Sequence, residues 1–212
     1  FHSMHSGYKK IRKHSPEYIS EEIKSIRKMH PFIRMVKFND DSFLSLSESE
    51  IDSFRRLQVS NGKTPFVATG FNPSLVTENK IDMLVEAGLR RTRIGIQTGC
   101  KQILNDIYKR KTTNDNIIRS SKILSKYSKQ LVPTAYDIIL DNPWENPEDT
   151  VDTFRLICQL ERPFSLNLFS RRFYPRTALY DKAINEGILD LEEEESVGKQ
   201  ESYGALKNTY LN

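Results

Sequence analysis

Cysteine is scarce in this sequence, which has only Cys100 and Cys158 among its 212 residues. Two cysteines this far apart form neither a disulfide framework nor a CxxC metal site, so a reducing compartment, the cytoplasm, is the expected location. Cys158 lies beside Ile157 in an apolar helical pattern, which predicts a buried, unreactive thiol. Cys100 directly follows Gly99 after a strand pattern, so its thiol is open to a functional role.

Long apolar runs are also absent. No stretch approaches the roughly 18 residues that cross a bilayer, so no membrane span is predicted. The first 13 residues are basic and lack the apolar core of a secretory signal. With nine glycines, nine prolines and 37% hydrophobic residues, the composition excludes collagenous and disordered proteins and predicts an ordinary globular domain.

A strong net charge is missing as well, because 32 basic side chains against 28 acidic ones leave only +4. This is too little for a nucleic-acid-binding surface on a chain of this size. The basic excess lies at the N-terminus, and an acid run lies near the C-terminus. We therefore predict a basic arm over residues 1–15, a folded domain over 16–187 and an acidic, polar tail over 188–212.

Short strand-like runs alternate with helical patterns along the folded domain. The runs begin near Ile33, Pro65, Arg91, Val132 and Phe164. Such alternation predicts βα units and a parallel sheet. Two α/β architectures stay open, a doubly wound sheet and a barrel or partial barrel. The absence of GxGxxG and of GxxxxGKS or GxxxxGKT weighs against the nucleotide-binding forms of the first.

Local signals predict several helix ends. Helix starts are predicted at Ser15-Pro16, at the capping box Ser47 to Glu50, at Thr77 and at Asn146-Pro147, and helix stops at Asn61-Gly62 and Gly88. In the last of these helices, Val151, Phe154 and Ile157 stand at helical spacing, which predicts that they share a buried face.

Polar side chains stand at the ends of the strand-like runs, where parallel α/β folds bind their ligands. They are Asn39 to Asp41, Gln97, Asp137, Asp141-Asn142 and Arg171-Arg172. Carboxylates, an amide and guanidinium groups on one rim could hold the hydroxyls and the ionised head group of a polar ligand. Asp and Asn are also common where loops begin, without any role in binding. Asp141-Asn142 before Pro143 is a sequence typical of a turn. Asp137 differs, because an unpaired carboxylate inside an apolar strand is costly.

Four segments share motifs, order and spacing with one known family. They are Phe38 to Phe43 (F-N-D-D-S-F), Arg93 to Arg110 (R-I-G-I-Q-T-G-C, then Leu104), Tyr136 to Asp149 (Y-D-I-I-L-D-N-P-W-E, then E-D) and Tyr174 to Gly187 (Y-P-R-T, then Leu179 and Ala183). They resemble the radical S-adenosylmethionine (radical SAM) enzymes. The first segment resembles the F-x-D-D-x-F of members with an upstream cobalamin-binding domain. Asp141 replaces the glycine that the family usually has in its strand.

The resemblance implies a partial (β/α)6 TIM-like barrel of parallel strands, with the first strand and the cluster loop missing from this chain. Such enzymes hold a 4Fe-4S cluster through three cysteines of a CxxxCxxC loop, and this sequence lacks that motif. We therefore expect either a fragment that begins just after the loop or a degenerate homologue. The chain by itself is expected to be inactive.

The resemblance also implies a cofactor chemistry and a set of site residues. The family cleaves S-adenosylmethionine reductively to methionine and a 5'-deoxyadenosyl radical. Carried over by position, Gln97 and Asp137 would hydrogen-bond the ribose hydroxyls, and Arg110 would pair with the methionine carboxylate. Asp40 and Asp41 would approach the methionine amino group. The implied partners are this cosubstrate, an electron donor such as flavodoxin or ferredoxin, and cobalamin on an upstream domain.

Three functions compete at this point. The first is the catalytic domain of a radical SAM enzyme for methyl transfer or another C–H functionalisation, with or without cobalamin. The second is a non-catalytic binding domain of the same fold, which would engage an acidic partner through the basic arm. The third, a barrel hydrolase, would need a nucleophile with a base or a metal cluster at the rim, and the sequence offers neither.

Overall fold

The computed structural model describes residues 13–40 and 42–189. Most of the predicted basic arm, the tail from residue 190 onward and the candidate site residue Asp41 lie outside the described residues. The described chain forms one five-stranded parallel sheet in which spatial order equals chain order. Its strands are β1 (Val36–Phe38), β2 (Phe66–Phe71), β3 (Leu89–Gln97), β4 (Thr134–Leu140) and β5 (Phe164–Ser170).

Seven α-helices accompany these strands in the described part of the chain. They are α1 (Pro16–Met29), α2 (Glu48–Ser60), α3 (Glu78–Ala87), α4 (Lys101–Asp106), α5 (Asn114–Ser125), α6 (Pro147–Cys158) and α7 (Ala178–Asn185). Side chains cap the first turns where the sequence predicts: Ser15 begins α1, Ser47 begins α2 with a capping box, Thr77 begins α3 and Asn146 begins α6. None of the described helices is both long and apolar enough to cross a membrane.

The strand order decides between the two architectures left open by the sequence. A doubly wound sheet reverses its strand order at a switch point, whereas this sheet runs from β1 to β5 without reversal. Right-handed crossovers then put every connecting helix on the same face. The apolar core contains one face of the strands, such as Ile94 and Tyr136, together with helix residues such as Ile51. The prediction of a partial, barrel-like parallel sheet is therefore confirmed.

The strands begin close to their predicted positions, and the largest difference is in β1. That strand begins at Val36 rather than near Ile33, because the Ile33 N–H still bonds to the His30 carbonyl at 3.0 Å, in the turn that follows α1. β1 is consequently a short edge strand of three residues.

The prediction for the buried face of α6 was wrong for Val151 and Phe154, whereas Ile157 is half-buried and packs against the core. Val151 and Phe154 are 45% and 65% exposed, and Cys158 is exposed rather than buried. Helix α6 instead buries Thr153 and Leu156. The reason is the tight packing of α6 against Gly99, described below, which sets the rotation of the helix about its axis.

Candidate functional site

A polar cleft of about 330 Å³ lies at the carboxyl ends of β1 to β4. Its side chains come from strand ends and the loops after them: Lys37, Asn39, Asp40, Ser42, Thr69, Asn72, Arg93, Gln97, Arg110 and Asp137. Four of the five residues assigned by resemblance thus line one cleft, and the fifth, Asp41, lies outside the described residues. The arrangement fits the rule that parallel folds bind ligands at this edge.

Asp137 lies on the face of β4 that lines the cleft, and it is paired. Arg93 of β3 donates from Nε to both carboxylate oxygens, at 2.7 and 2.6 Å, and Asn167 of β5 donates to Oδ1 at 2.9 Å. The carboxylate is therefore held from both neighbouring strands, while Oδ2 keeps a lone pair for another donor. Its charge inside the strand is offset by Arg93, which also lies 5.1 Å from the centre of the Phe169 ring.

Gln97 stands at an irregular position where β3 ends. The register between β3 and β4 shifts between Gly95 and Gln97, and Gln97 has φ +68°, a left-handed conformation that is uncommon for a residue other than glycine. Its Oε1 is buried and has no hydrogen-bond partner among the described residues. A strained backbone and an unsatisfied amide oxygen at one residue are typical of a ligand site.

Arg110 reaches the same place from the turn between α4 and α5. Its guanidinium donates to the Gly95 carbonyl at 3.0 Å, and among the described residues no carboxylate forms an ion pair with it. Burial lowers the pKa of Arg110, because the cation has lost water without gaining a counter-charge. An anionic group of a ligand could supply that charge.

Gly95 makes this meeting of side chains possible. A Cβ at Gly95 would lie 2.4 Å from Gln97 Nε2 and 3.2 Å from Arg110 Nη1. The glycine of the strand motif is therefore required for close approach, and not for an unusual backbone angle. The missing Cβ leaves room for the ends of these two side chains.

Asp40 lies at the exposed rim of the cleft. Its Oδ1 accepts the backbone N–H of Ser42 at 2.6 Å, which orders the loop after β1. The carboxylate remains accessible from the cleft.

Asp141 and Asn142, which the sequence analysis also named, lie away from this cleft. Asp141 has φ +55°, a left-handed conformation that glycine adopts most readily, and Ser170 donates to its carboxylate at 2.5 Å. Asn142 accepts the Trp144 N–H at 3.4 Å, as turn chemistry predicts. Both line a second cavity of about 400 Å³, which lies between β4 and α6.

Arg171, directly after β5, is half-buried against two aromatic side chains. The Arg171 guanidinium lies 5.3 Å from the centre of the Tyr108 ring and 5.6 Å from that of Phe173. Burial lowers the pKa of Arg171, and it raises the pKa of Tyr108 to about 12 although the nearby Arg171 charge opposes this rise. Burial also raises the pKa of Glu145.

The two cysteines do not form a joint site. Cys100 is buried and its thiol donates to Asp149 at 2.9 Å, and burial raises its pKa, so the thiolate is disfavoured. Cys158 is exposed at the end of α6. Within residues 13–40 and 42–189, no cluster of three His, Cys, Asp or Glu side chains could hold a metal ion.

Five polar cleft residues were not assigned to a site by the sequence analysis: Lys37, Ser42, Thr69, Asn72 and Arg93. The sequence carried one signal for a polar inner face, which was the alternation of polar and apolar residues along β3. Sheets with helices on both faces have strands that are nearly continuously hydrophobic, but in β3 every second residue from Arg91 to Gln97 is polar or small. That pattern indicates a polar inner face.

Comparison with known families agrees with this geometry. The fold and the cleft define an α/β barrel-like domain with a polar cleft at the carboxyl ends of the strands. The family model of the radical SAM superfamily matches residues 1–157, so the chain belongs to that superfamily. A comparison with curated protein sequences finds no match.

Two solved structures have a similar fold. Coproporphyrinogen III oxidase HemN from Escherichia coli, described as a radical SAM enzyme, has a TM-score of 0.58 at 16% identity, over 84% of this chain and 43% of its own. The radical SAM methyltransferase TsrM from Kitasatospora setae, with cobalamin and a 4Fe-4S cluster bound, has a TM-score of 0.65 at 16% identity, over 82% of this chain and 32% of its own. This chain thus spans less than half of either protein.

Proposed function

We propose that the polar cleft binds S-adenosylmethionine and that the chain is the cosubstrate-binding part of a radical SAM catalytic domain. The observation that carries the proposal is that Gln97, Arg110 and Asp137, assigned by resemblance alone, line one cleft of a chain that belongs to this superfamily. The buried, unpaired Gln97 Oε1 and the space above Gly95 support a ligand at this position.

Each side chain has a role that follows from its chemistry. Asp137, with a lone pair left on Oδ2, accepts a ribose hydroxyl, and the Gln97 amide accepts the other once it rotates to turn its buried Oε1 toward the cleft. Arg110 binds the methionine carboxylate, and Asp40 attracts the methionine amino group at the rim. Arg93 holds Asp137 in place and offsets its charge. S-adenosylmethionine supplies the adenosyl group for the family's radical chemistry, and these residues orient that group.

The residues of this chain do not fit an iron–sulfur cluster. Such a cluster needs thiolate ligands, and the sequence has a buried thiol with a raised pKa and an exposed thiol on another element. We therefore assign no cluster ligand here. Cobalamin, an electron donor such as flavodoxin or ferredoxin, and methyl transfer or another C–H functionalisation belong to the proposal for the whole protein, supported by the F-N-D-D-S-F segment and by the similarity to TsrM.

Titration of the purified protein with S-adenosylmethionine, adenosine and methionine tests this function. Because a cluster would chelate the methionine end, we expect weak S-adenosylmethionine binding in its absence. Arg110→Gln should weaken S-adenosylmethionine about tenfold, the size of a lost charged hydrogen bond, but leave adenosine unchanged. Gln97→Ala should weaken both ligands. Calorimetry or ligand-observed NMR measures the affinities.

Arg155→Gln is the matched control for Arg110, because Arg155 is exposed and pairs with Asp152 on α6. It should leave every affinity unchanged. Equal loss of adenosine and S-adenosylmethionine in Arg110→Gln would contradict the assigned role. If the wild-type protein binds neither ligand, the alternative of a non-catalytic domain with an acidic partner takes precedence. The two cysteines of this chain do not fit a cluster, which favours the non-catalytic alternative for this chain.

Gly95→Ala tests the geometry separately. The new methyl group would displace the ends of Gln97 and Arg110, which are flexible, so the fold should persist while S-adenosylmethionine affinity falls about tenfold. Thermal melting and the same titration measure the two effects. Gly187→Ala is the control for affinity, because a Cβ at that position would meet no heavy atom within 4 Å. Unchanged affinity in Gly95→Ala would mean that the ligand does not contact these side chains.

A further inference from the structure

Two arginines near the carboxyl edge of the sheet are half-buried without a carboxylate partner among the described residues. Arg110 is used by the proposed function. Arg171 is not, since it lies beyond the residues that line the polar cleft. Its buried Nε has no hydrogen-bond acceptor in the described part of the chain, and no ion pair to a described carboxylate compensates its charge. A half-buried guanidinium without a counter-charge is costly, which points to an anion that the site is built to receive.

The surroundings of Arg171 limit what that anion can be attached to. The guanidinium lies against the rings of Tyr108 and Phe173, and the Phe173 ring contacts Trp144 edge-on with 5.7 Å between centres. Aromatic rings favour a planar cation but give it no negative charge. A ligand that satisfies both features has an anionic oxygen group on an apolar or aromatic body.

The position of Arg171 relates this site to the polar cleft. Its backbone N–H bonds to the Leu140 carbonyl at 2.8 Å, so Arg171 extends the β4–β5 pairing at the carboxyl edge. Tyr108 and Arg110 belong to one turn, in which the backbone N–H groups of both bond back to α4. Two residues span at most about 7 Å, so the turn joins the two sites closely.

We propose that Arg171 binds an anionic oxygen group, carboxylate or phosphate, of the molecule on which the protein acts. That this molecule is a substrate rests on the proposed function, but the anion site itself does not. Tyr108 and Phe173 orient the guanidinium and contact the apolar body of the ligand. The turn that carries Arg110 would then hold substrate and S-adenosylmethionine side by side.

The test uses three small probes of one shape: benzoate, phenyl phosphate and benzyl alcohol. Ligand-observed NMR with the purified protein measures each affinity. We expect one or both anions to bind at least about tenfold more tightly than the neutral alcohol, as a charged hydrogen bond requires. Arg171→Gln should abolish that preference, and Arg171→Lys, which keeps the charge but loses the planar fork, should retain part of it.

Three outcomes would contradict the proposed anion site at Arg171. They are equal binding of anions and alcohol, an anion preference that survives in Arg171→Gln, and an anion preference lost equally in the exposed control Arg155→Gln. Benzoate and phenyl phosphate distinguish the two anion classes, and a preference for either supports the site. If Arg171→Gln does not fold, the comparison of the anion preference between the wild-type protein and Arg171→Lys still tests the site.

S-adenosylmethionine titration of the same variants separates this proposal from the proposed function. Arg171→Gln should leave S-adenosylmethionine affinity unchanged. Wild-type protein that prefers the anions but does not bind S-adenosylmethionine would support the anion site and contradict the proposed function. The reverse result would contradict the anion site alone.

Discussion

Gly99→Ala is expected to cause a large loss of stability. A Cβ at Gly99 would lie 2.6 Å from both the Asp152 carbonyl oxygen and Thr153 Cα, which are backbone atoms of α6 and cannot rotate away. The helix would have to move, at a cost of about 3 kcal/mol or more in the free energy of unfolding. For a chain of this size we expect the melting temperature to fall by roughly 10 °C. Thermal and urea unfolding measure the effect.

The clash would also break a buried hydrogen-bond network. The Gly99 N–H donates to Thr153 Oγ1 at 2.7 Å, Thr98 and Thr153 hydroxyls lie 3.1 Å apart, and Asn114 donates to the Gly99 carbonyl at 2.8 Å. Gly62→Ala is the matched control, because its Cβ would meet no atom within 4 Å and the cost is only that of a positive φ, about 1 kcal/mol. If the two variants lost equal stability, close packing of α6 on Gly99 would not be the cause.

Asp137→Asn is expected to have the largest effect on binding. The change removes the carboxylate that accepts from Arg93 and Asn167, and it leaves the Arg93 guanidinium in the cleft without its counter-charge. Loss of a charged hydrogen bond to a ribose hydroxyl weakens binding by about 10- to 100-fold. We expect adenosine to bind the wild-type protein more tightly than 2'-deoxyadenosine or 3'-deoxyadenosine, and Asp137→Asn to lose the preference for one of the hydroxyls.

Asp52→Asn is the control for this prediction. Asp52 also pairs with arginines, Arg55 and Arg56, but on the outer surface of α2. Its loss should change stability little, because exposed ion pairs contribute little, and leave every nucleoside affinity unchanged. If Asp137→Asn keeps the wild-type preference among the three nucleosides, Asp137 has only a structural role with Arg93.

Local sequence signals predicted much of the fold because they act within a few residues. A capping residue such as Ser47 or Asn146 accepts a hydrogen bond from a backbone N–H three residues further on. The start of a helix can therefore be predicted from the cap without knowledge of the tertiary structure. Local sequence signals were weaker for the short helix α4 and for the start of β1. The rotation of α6 was not predictable, because it depends on contact with Gly99, which is distant along the chain.

The candidate site was partly predictable for a similar reason. Parallel strands bring their carboxyl ends together, so Gln97 and Asp137 could be expected near each other once the sheet was inferred. The pairing of Asp137 with Arg93 and Asn167 depends on the register between β3, β4 and β5. That register could not be predicted from the sequence. Arg171 was noticed at the rim, but its lack of a carboxylate partner among the described residues depends on the folded surroundings.

The polar inner face of the sheet would make the stability of the fold depend on whether the cleft is filled. Only one side of the strands packs against apolar residues, and the side with Thr69, Arg93 and Asp137 faces the cleft. A molecule that fills the cleft at one hundred times its dissociation constant would add about 2.7 kcal/mol to the free energy of unfolding. Protein without that molecule would open more often, so its resistance to a protease in solution would rise with the ligand concentration.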